Sequence, residues 1–191
     1  MTCLILINGA PASGKSTLAR RYADEHPLTL ALDIDVVRGL LGSWLTDSSS
    51  AGLLARKMAI EMARTALADG HDVVVPQLLG QPRFVHELDA LAAEAGVPFA
   101  ETVLIIPPGE EERRFVQRSG GSRRADADNA RLQDRHGGLA TLTHAATAIQ
   151  RVVAERPGTH TIITHQGAVE AAYAELLAFV RSVAGSSAPG A

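Results

Sequence analysis

The sequence predicts a three-layer α/β domain in which helices cover both faces of a parallel, five-stranded sheet. Short apolar runs alternate with stretches of helical spacing along the chain, a pattern typical of parallel strands joined by helices. The 191 residues, 46% of them hydrophobic, are enough for one such domain with a core of its own. We expect a single domain over residues 1–184 and a flexible tail over residues 185–191.

The predicted elements follow one another in regular order. The strands are Cys3 to Asn8, Leu28 to Asp33, Asp72 to Pro76, Ala100 to Ile106 and His160 to Thr164. Helices are expected to begin near Gly14, Val36, Ala51, Arg83, Glu110, Leu139 and Ala168. Helical spacing in the third helix predicts a buried face made of Leu53, Leu54, Met58, Met62 and Leu67, ending at the stop signal Asp69-Gly70.

Charge and composition exclude several classes of protein. The net charge of -3 argues against a broad nucleic-acid surface, which needs many cations to neutralise phosphates. Cys3 is the only cysteine, so neither a disulfide framework nor a cysteine zinc cluster is expected. No signal segment or membrane-length apolar run is seen. We expect a cytoplasmic monomer or homodimer.

Residues 9–16 form the most informative motif. Gly9, Ala10, Pro11, Ala12, Ser13, Gly14, Lys15 and Ser16 fit G-x-x-x-x-G-K-[ST] between a strand and a helix, which is the context of a P-loop. Its backbone N–H groups and the helix dipole favour a polyphosphate. Lys15 would bridge the β- and γ-phosphates, Ser16 would ligate Mg²⁺, and Thr17 would reach the α-phosphate. The motif predicts binding of ATP with Mg²⁺.

A second set of polar residues follows the second predicted strand. Asp33 and Asp35 are two residues apart, and Arg38 lies one helical turn further on. One carboxylate could hold Mg²⁺ while the other accepts a proton from an attacking hydroxyl. Arg38 could clamp the substrate or orient Asp35. Alternatively, either aspartate could simply cap the next helix, and Asp35 is well placed for that role.

These motifs resemble those of the small P-loop kinases, among them the chloramphenicol phosphotransferase-like and AAA_33-type predicted kinases. The segment LDIDVVRGLL is also similar to the corresponding segment of adenylylsulfate kinases, and D-x-x-R is similar to that of polynucleotide kinases. The resemblance implies the strand order 2-3-1-4-5. It implies that Asp35 is the base on the substrate hydroxyl and, from shikimate-kinase-like relatives, that Asp33 lies close to Mg²⁺.

The third predicted strand departs from the pattern of many P-loop enzymes. It ends in Pro76-Gln77, where those enzymes carry an aspartate that helps to hold Mg²⁺. Either Asp33 replaces that residue, or Ser16, phosphates and water hold the metal alone. Gln77 could contact the acceptor or could be a plain turn residue.

An arginine-rich stretch follows the fourth strand. It contains Arg113, Arg114, Arg118, Arg123, Arg124, Arg131 and Arg135. Residues 119–138 have four glycines and few large apolar side chains, which predicts a mobile surface excursion. The resemblance implies a lid whose arginines close on the transferred phosphoryl group, with Arg118, Arg124 and then Arg114 as the leading candidates. A solvated, salt-bridged surface is the alternative.

Two further residues are candidates for contacts to ligands. Gln166, in the turn after the last strand, could border the nucleotide base, although an ordinary turn is equally compatible. Trp44 could stack on an aromatic or sugar-like acceptor, or could pack in the core.

The sequence thus predicts an ATP- and Mg²⁺-dependent kinase that transfers phosphate to the hydroxyl of a small molecule, such as an antibiotic or a nucleoside-like metabolite. One alternative is a polynucleotide 5'-kinase, which the net charge disfavours. Another is a nucleotide-binding switch protein that is not a kinase.

Overall fold

The computed structural model of the protein describes residues 1–111, 113, 114 and 140–186, with the backbone alone at residues 140–143. The strands are β1 (Leu4–Gly9), β2 (Leu30–Ala31), β3 (Val73–Pro76), β4 (Phe99–Ile105) and β5 (His160–Ile163). The helices named here are α1 (Lys15–Glu25), α2 (Ile34–Gly39), α3 (Ser48–Ala68), α4 (Pro82–Ala95), α5 (Ala140–Glu155) and α6 (Val169–Ser186). Arg118, Arg124 and the whole predicted lid at 119–138 lie outside the described residues.

The predicted parallel sheet and its strand order are confirmed. The five strands lie in the order β2-β3-β1-β4-β5, and every pair of neighbours is parallel. β1 is central and buried along its whole length, because it has a strand on each side and helices over both faces. The carboxyl ends of all five strands therefore meet at one edge, where ligands bind in sheets of this type.

The second strand is shorter than predicted, covering two residues instead of six. Leu28 has φ 61° and is 75% exposed, while the N–H of Thr29 bonds back to the carbonyl of His26. The chain is therefore still turning where the apolar pattern predicted a strand. At the other end, Asp33 already belongs to the start of α2.

The predicted buried face of α3 is wrong at Leu53, Leu54 and Met62, whereas Leu67 is buried and Met58 is partly buried against the core. The helix buries Ala51, Ala55, Ala59, Ala63 and Leu67, while the side chains of Leu53, Leu54 and Met62 are exposed. Alanines spaced four residues apart form a single narrow face, and their small side chains allow the helix to pack closely. The prediction placed the large apolar side chains of this helix in the core, whereas the helix buries its small ones.

The ends of α3 and α6 can be compared with the predicted ends. The predicted stop at Asp69-Gly70 is confirmed, since α3 ends at Ala68 with Asp69 as its C-cap. Helix α6 runs to Ser186 and so includes the first two residues of the predicted tail. Within the described residues, every helix is too short or too polar to cross a membrane.

Candidate active site

The P-loop connects the central strand β1 to α1 with an unusual backbone. Gly9, Ala12 and Gly14 have φ values of 153°, 62° and 100°, all in the region that side chains rarely occupy. A Cβ at Gly9 would lie 2.9 Å from the backbone oxygen of Leu104, so only glycine fits there. Left-handed residues that alternate with ordinary ones can turn successive backbone N–H groups toward one concave side, which is the arrangement that holds an anion.

The first turn of α1 begins directly at the end of this loop. Gly14 is the N-cap residue, and its carbonyl accepts the N–H groups of both Thr17 and Leu18 at 3.0 Å. A helix N-terminus carries partial positive charge and N–H groups without intrahelical acceptors. Ser16 is partly exposed and Thr17 is exposed at this end, so both hydroxyls lie where a polyphosphate would bind.

The side chains of Ser13 and Lys15 belong to the same loop. Lys15 is 8% exposed and donates from Nζ to the carbonyl oxygen of Ala10 at 2.7 Å, which holds the ammonium group over the P-loop. The Oγ atom of Ser13 is buried and has no hydrogen-bond partner among the described residues. Buried polar atoms are rarely left in this state, and a polar ligand in the loop would give this hydroxyl a partner.

Asp33 lies within range of the charge of Lys15. Burial and the charge of neighbouring Asp35 raise the pKa of the Asp33 carboxyl, and the charge of Lys15 acts in the opposite direction. The segment after β2 therefore brings the Asp33 carboxylate toward the P-loop. Two carboxylates and one ammonium group therefore share the carboxyl edge of the sheet.

The helix cap is Asp33, one of the two aspartates that the sequence left open for this role. Helix α2 begins at Ile34, two residues earlier than expected, and the Asp33 carboxylate accepts the N–H of Asp35 at 3.0 Å. Asp35 is consequently in the first turn of the helix, with its carboxylate directed to other partners. The Asp33 carboxylate is thus used for capping, while the Asp35 carboxylate is not.

Asp35, Arg38 and Trp44 form one connected group. A guanidinium nitrogen of Arg38 lies 3.1 Å from Oδ1 of Asp35, and the guanidinium stacks over the ring of Trp44 at 4.4 Å from its centroid. Trp44 is only 8% exposed. The ring therefore supports Arg38 from the loop between α2 and α3, and Arg38 in turn orients the carboxylate of Asp35.

Gln77 follows β3 at the same edge. Its N–H donates to the carbonyl of Ile7 at 3.1 Å, which extends the pairing of β3 with β1. Its Oε1 atom is buried and has no hydrogen-bond partner among the described residues. The side-chain amide of Gln77 thus lies beside the P-loop, and its carbonyl oxygen accepts no hydrogen bond from the described residues.

The AAA_33 family model, described as an AAA domain, matches residues 4–142, which include the P-loop, Asp33, Asp35 and Gln77. The chain belongs to the AAA_33 family. No curated protein matches it in sequence.

Solved structures with similar folds include kinases. A gluconokinase from Sinorhizobium meliloti 1021 is 16% identical with a TM-score of 0.59, over 95% of this AAA_33 chain and 93% of that chain. A "putative kinase" from Chloroflexus aurantiacus J-10-fl is 20% identical with a TM-score of 0.65, over 95% and 98% of the two chains. A chain of the Pnkp1/Rnl/Hen1 RNA repair complex is 18% identical with a TM-score of 0.59, over 81% and 46%. The fold is that of the P-loop kinases.

Arg114 of this AAA_33 chain lies inside the domain. Its guanidinium donates to the carbonyl oxygen of Thr164 at 2.7 Å, to Oγ1 of Thr164 at 3.3 Å and to Glu110 at 2.7 Å. The arginine thereby joins the start of the segment after β4 to the end of β5. Its predicted contact to phosphate stays a prediction.

Glu110 links the same corner to the predicted base-binding turn. Burial raises the pKa of its carboxyl, but the hydrogen bond and charge of Arg114 and the N–H of Gln166 outweigh that effect and lower the pKa below its ordinary value. The turn at Gln166 is exposed and is held by its backbone. Its side chain thus remains a predicted contact to the nucleotide.

The oxygen donors of this AAA_33 site fit a magnesium ion that is shared with a polyphosphate. Ser16 and Asp33 provide hard oxygens, and Mg²⁺ usually takes one or two protein ligands together with phosphate oxygens and water. Within the part of the chain that the structure describes, no cluster of three or more His, Cys, Asp or Glu could hold a metal by itself.

Sequence reasoning missed Asn8, the last side chain before the P-loop. Asn8 is 1% exposed and makes three hydrogen bonds to the backbone of Gly9 and Leu79. The sequence did contain a signal for Asn8, because its side-chain amide interrupts the apolar run of the first strand, which was predicted to be central. It also missed Glu110 and Thr164, whose roles depend on contacts between distant segments.

Proposed function

We propose that the protein is an ATP- and Mg²⁺-dependent phosphotransferase that moves the γ-phosphate of ATP to a hydroxyl group of a small molecule. The observation that carries this proposal is the convergence of Lys15, Asp33 and the Asp35–Arg38 ion pair at the carboxyl edge of the sheet. A nucleotide-binding module that does no transfer would need the P-loop but not an oriented carboxylate beside it.

The P-loop binds the donor. The N–H groups of residues 12–17 hold the phosphates, and Lys15 bridges the β- and γ-phosphates, where negative charge shifts during transfer. Mg²⁺, bound by Ser16 with Asp33 nearby, would offset charge on the β- and γ-phosphate oxygens. Because these groups are already in position, little reorganisation is needed at the moment of reaction.

Asp35 acts on the acceptor as a general base. It accepts the proton of the attacking hydroxyl, whose oxygen then forms a bond to the γ-phosphorus. The bond from that phosphorus to the β–γ bridging oxygen breaks, and ADP leaves with the electron pair. Arg38 keeps Asp35 oriented, and Gln77 would bind another polar group of the acceptor.

The lid completes the proposal. Arg118 and Arg124 would close on the transferred phosphoryl group, excluding water and stabilising its equatorial oxygens. Both lie outside the described residues, so their roles rest on the sequence resemblance alone. Gln166 would border the nucleotide base from the turn after β5.

The test measures phosphate transfer from radiolabelled ATP by wild type and by the Asp35→Asn variant. The acceptors are a panel of aminoglycosides, phenicols, nucleosides and sugars. Short single-stranded DNA is tested as a further acceptor. We expect labelling of a small hydroxyl compound, and a loss of about 10²–10⁴-fold in the variant, the usual contribution of a general base. MgATP affinity, measured by calorimetry, should be unchanged.

Asp24→Asn is the matched control, because Asp24 is an exposed carboxylate on α1. It should retain full transfer. Wild-type turnover in Asp35→Asn would exclude Asp35 as the base. Labelling of DNA alone would favour a polynucleotide 5'-kinase. Hydrolysis without transfer to any hydroxyl would favour a nucleotide-dependent switch.

A further inference from the structure

Asn8 is a polar residue in the most buried strand of the molecule. Its Oδ1 accepts the N–H of Gly9 at 2.8 Å and the N–H of Leu79 at 2.9 Å, and its Nδ2 donates to the carbonyl of Leu79 at 3.0 Å. Three of the four hydrogen bonds that an amide side chain can make are thus formed with the backbone. A leucine there would keep the core apolar and leave three buried backbone groups without partners.

The Asn8 side chain continues the sheet where the strands have stopped. Backbone pairing of β1 with β3 ends at Ile7 with Pro76, followed by the bond from the N–H of Gln77 to Ile7. Beyond that point the Asn8 amide binds both backbone groups of Leu79, as a peptide of a neighbouring strand would. The loop after β3, residues 77–81, is thereby held in register with the P-loop.

The same loop is fixed from its other side. Leu78 packs against a small core that contains Ala10 of the P-loop and Ile149 of α5. Gly80 is so close to α5 that an added Cβ would lie 2.9 Å from the Cβ of Ala148. The loop after β3 is therefore enclosed between the P-loop and α5.

We infer that Asn8 is a positioning residue that couples the phosphate site to the acceptor side. Through Gly9 it sets the start of the P-loop, and through Leu79 it sets the loop that presents Gln77. A polyphosphate that orders the P-loop then orders residues 77–81 as well, so that binding of the donor prepares the acceptor side. This inference rests on the proposed function, because it requires a polyphosphate in the P-loop.

The test compares wild type, Asn8→Ala and Asn8→Ser with MgATP as the probe. Calorimetry measures the dissociation constant of MgATP, and thermal unfolding measures stability. Hydrogen exchange followed by mass spectrometry measures how strongly the peptide covering residues 77–81 is protected. In wild type, saturating MgATP should slow exchange of this peptide severalfold. In Asn8→Ala, that protection should be lost and affinity should fall by roughly tenfold, as expected from losing a buried hydrogen bond.

Two controls separate positioning from general stability. Thr102→Val removes a buried hydroxyl from the adjacent strand β4 that has no hydrogen-bond partner in the described part of the chain, and Ile162→Val weakens the core at β5. Both should keep wild-type affinity and wild-type protection, even where the unfolding temperature falls. Asn8→Ser leaves a polar group and room for water, so it should fold even if Asn8→Ala does not, with a smaller effect in the same direction.

The outcomes distinguish the inference from the proposed function. Failure of wild type to bind MgATP would remove the proposed function and the inference together. Binding by wild type, with equal affinity and equal protection of residues 77–81 in the Asn8 variants, would overturn the inference alone. Lower stability of those variants without a change in either quantity would also overturn it, since it would show a purely structural residue.

Discussion

The P-loop, residues 9–16, and the acceptor segment, residues 33–47, are built in different ways. The P-loop depends on its backbone, with positive φ values at three of its positions and a helix N-terminus at its end. The acceptor segment depends on side chains, in which Trp44 supports Arg38 and Arg38 orients Asp35. Backbone amides can bind the phosphates of any nucleotide. Contacts made by side chains, in contrast, can be changed by single substitutions.

This difference explains why a fold can be shared while acceptors differ. A substitution in the P-loop disturbs a backbone conformation, so it should affect binding of every nucleotide. A substitution of Asp35, Arg38 or Trp44 in the acceptor segment should change turnover and leave the affinity for MgATP intact, whereas Asp33 also borders the proposed magnesium site. The following variants test that division, in order of the expected effect.

Lys15→Met should have the largest effect, because it removes the cation that meets the β- and γ-phosphates while keeping the length of a buried side chain. We expect phosphate transfer to fall by at least about 10²–10³-fold, similar to the loss of one preorganised charge-stabilising group. Affinity for MgATP, measured by calorimetry, should fall as well. Lys57→Met, at an exposed position on α3, is the control and should behave as wild type. Normal transfer in Lys15→Met would contradict the donor site.

Arg38→Lys should have a smaller effect that is confined to the acceptor side. Lysine keeps the charge but loses the planar group that stacks on Trp44 and orients Asp35. A loss of about 1 kcal/mol in transition-state stabilisation corresponds to roughly fivefold in kcat. The affinity for MgATP should not change, and Arg83→Lys, at an 89% exposed side chain, should be silent. Weaker nucleotide binding in Arg38→Lys would break the division between the two regions.

Asp33→Asn should have the smallest effect, on stability without nucleotide. Burial and the neighbouring Asp35 raise the pKa of Asp33 above 3.8, so its ionisation costs stability as pH rises from that value through the higher folded-state pKa. Asparagine also caps helices and carries no charge. The variant should therefore unfold at a higher temperature than wild type at neutral pH, and the difference should shrink below about pH 4. Thermal unfolding at several pH values measures this; a difference that grows with acidity would contradict the assignment.

Local sequence was sufficient for the P-loop and for most elements. The glycines of residues 9–16, the start of α1 and the end of α3 are determined by contacts within a few residues, and the structure has them where the sequence predicts them. The parallel order of the strands was also available, through the resemblance of short motifs. The family match and the fold confirm that part.

Contacts between distant segments were decided by the tertiary structure alone. Asn8 meets Leu79 across 71 positions of the chain, and Arg114 meets Thr164 across 50. Which face of α3 is buried depends on how closely the helix can approach its neighbours. Alanines are therefore buried there in preference to leucines and methionines. A sequence read locally determines backbone conformations and hydrophobic periods, whereas the partner of a buried polar group is known only when the chain has folded around it.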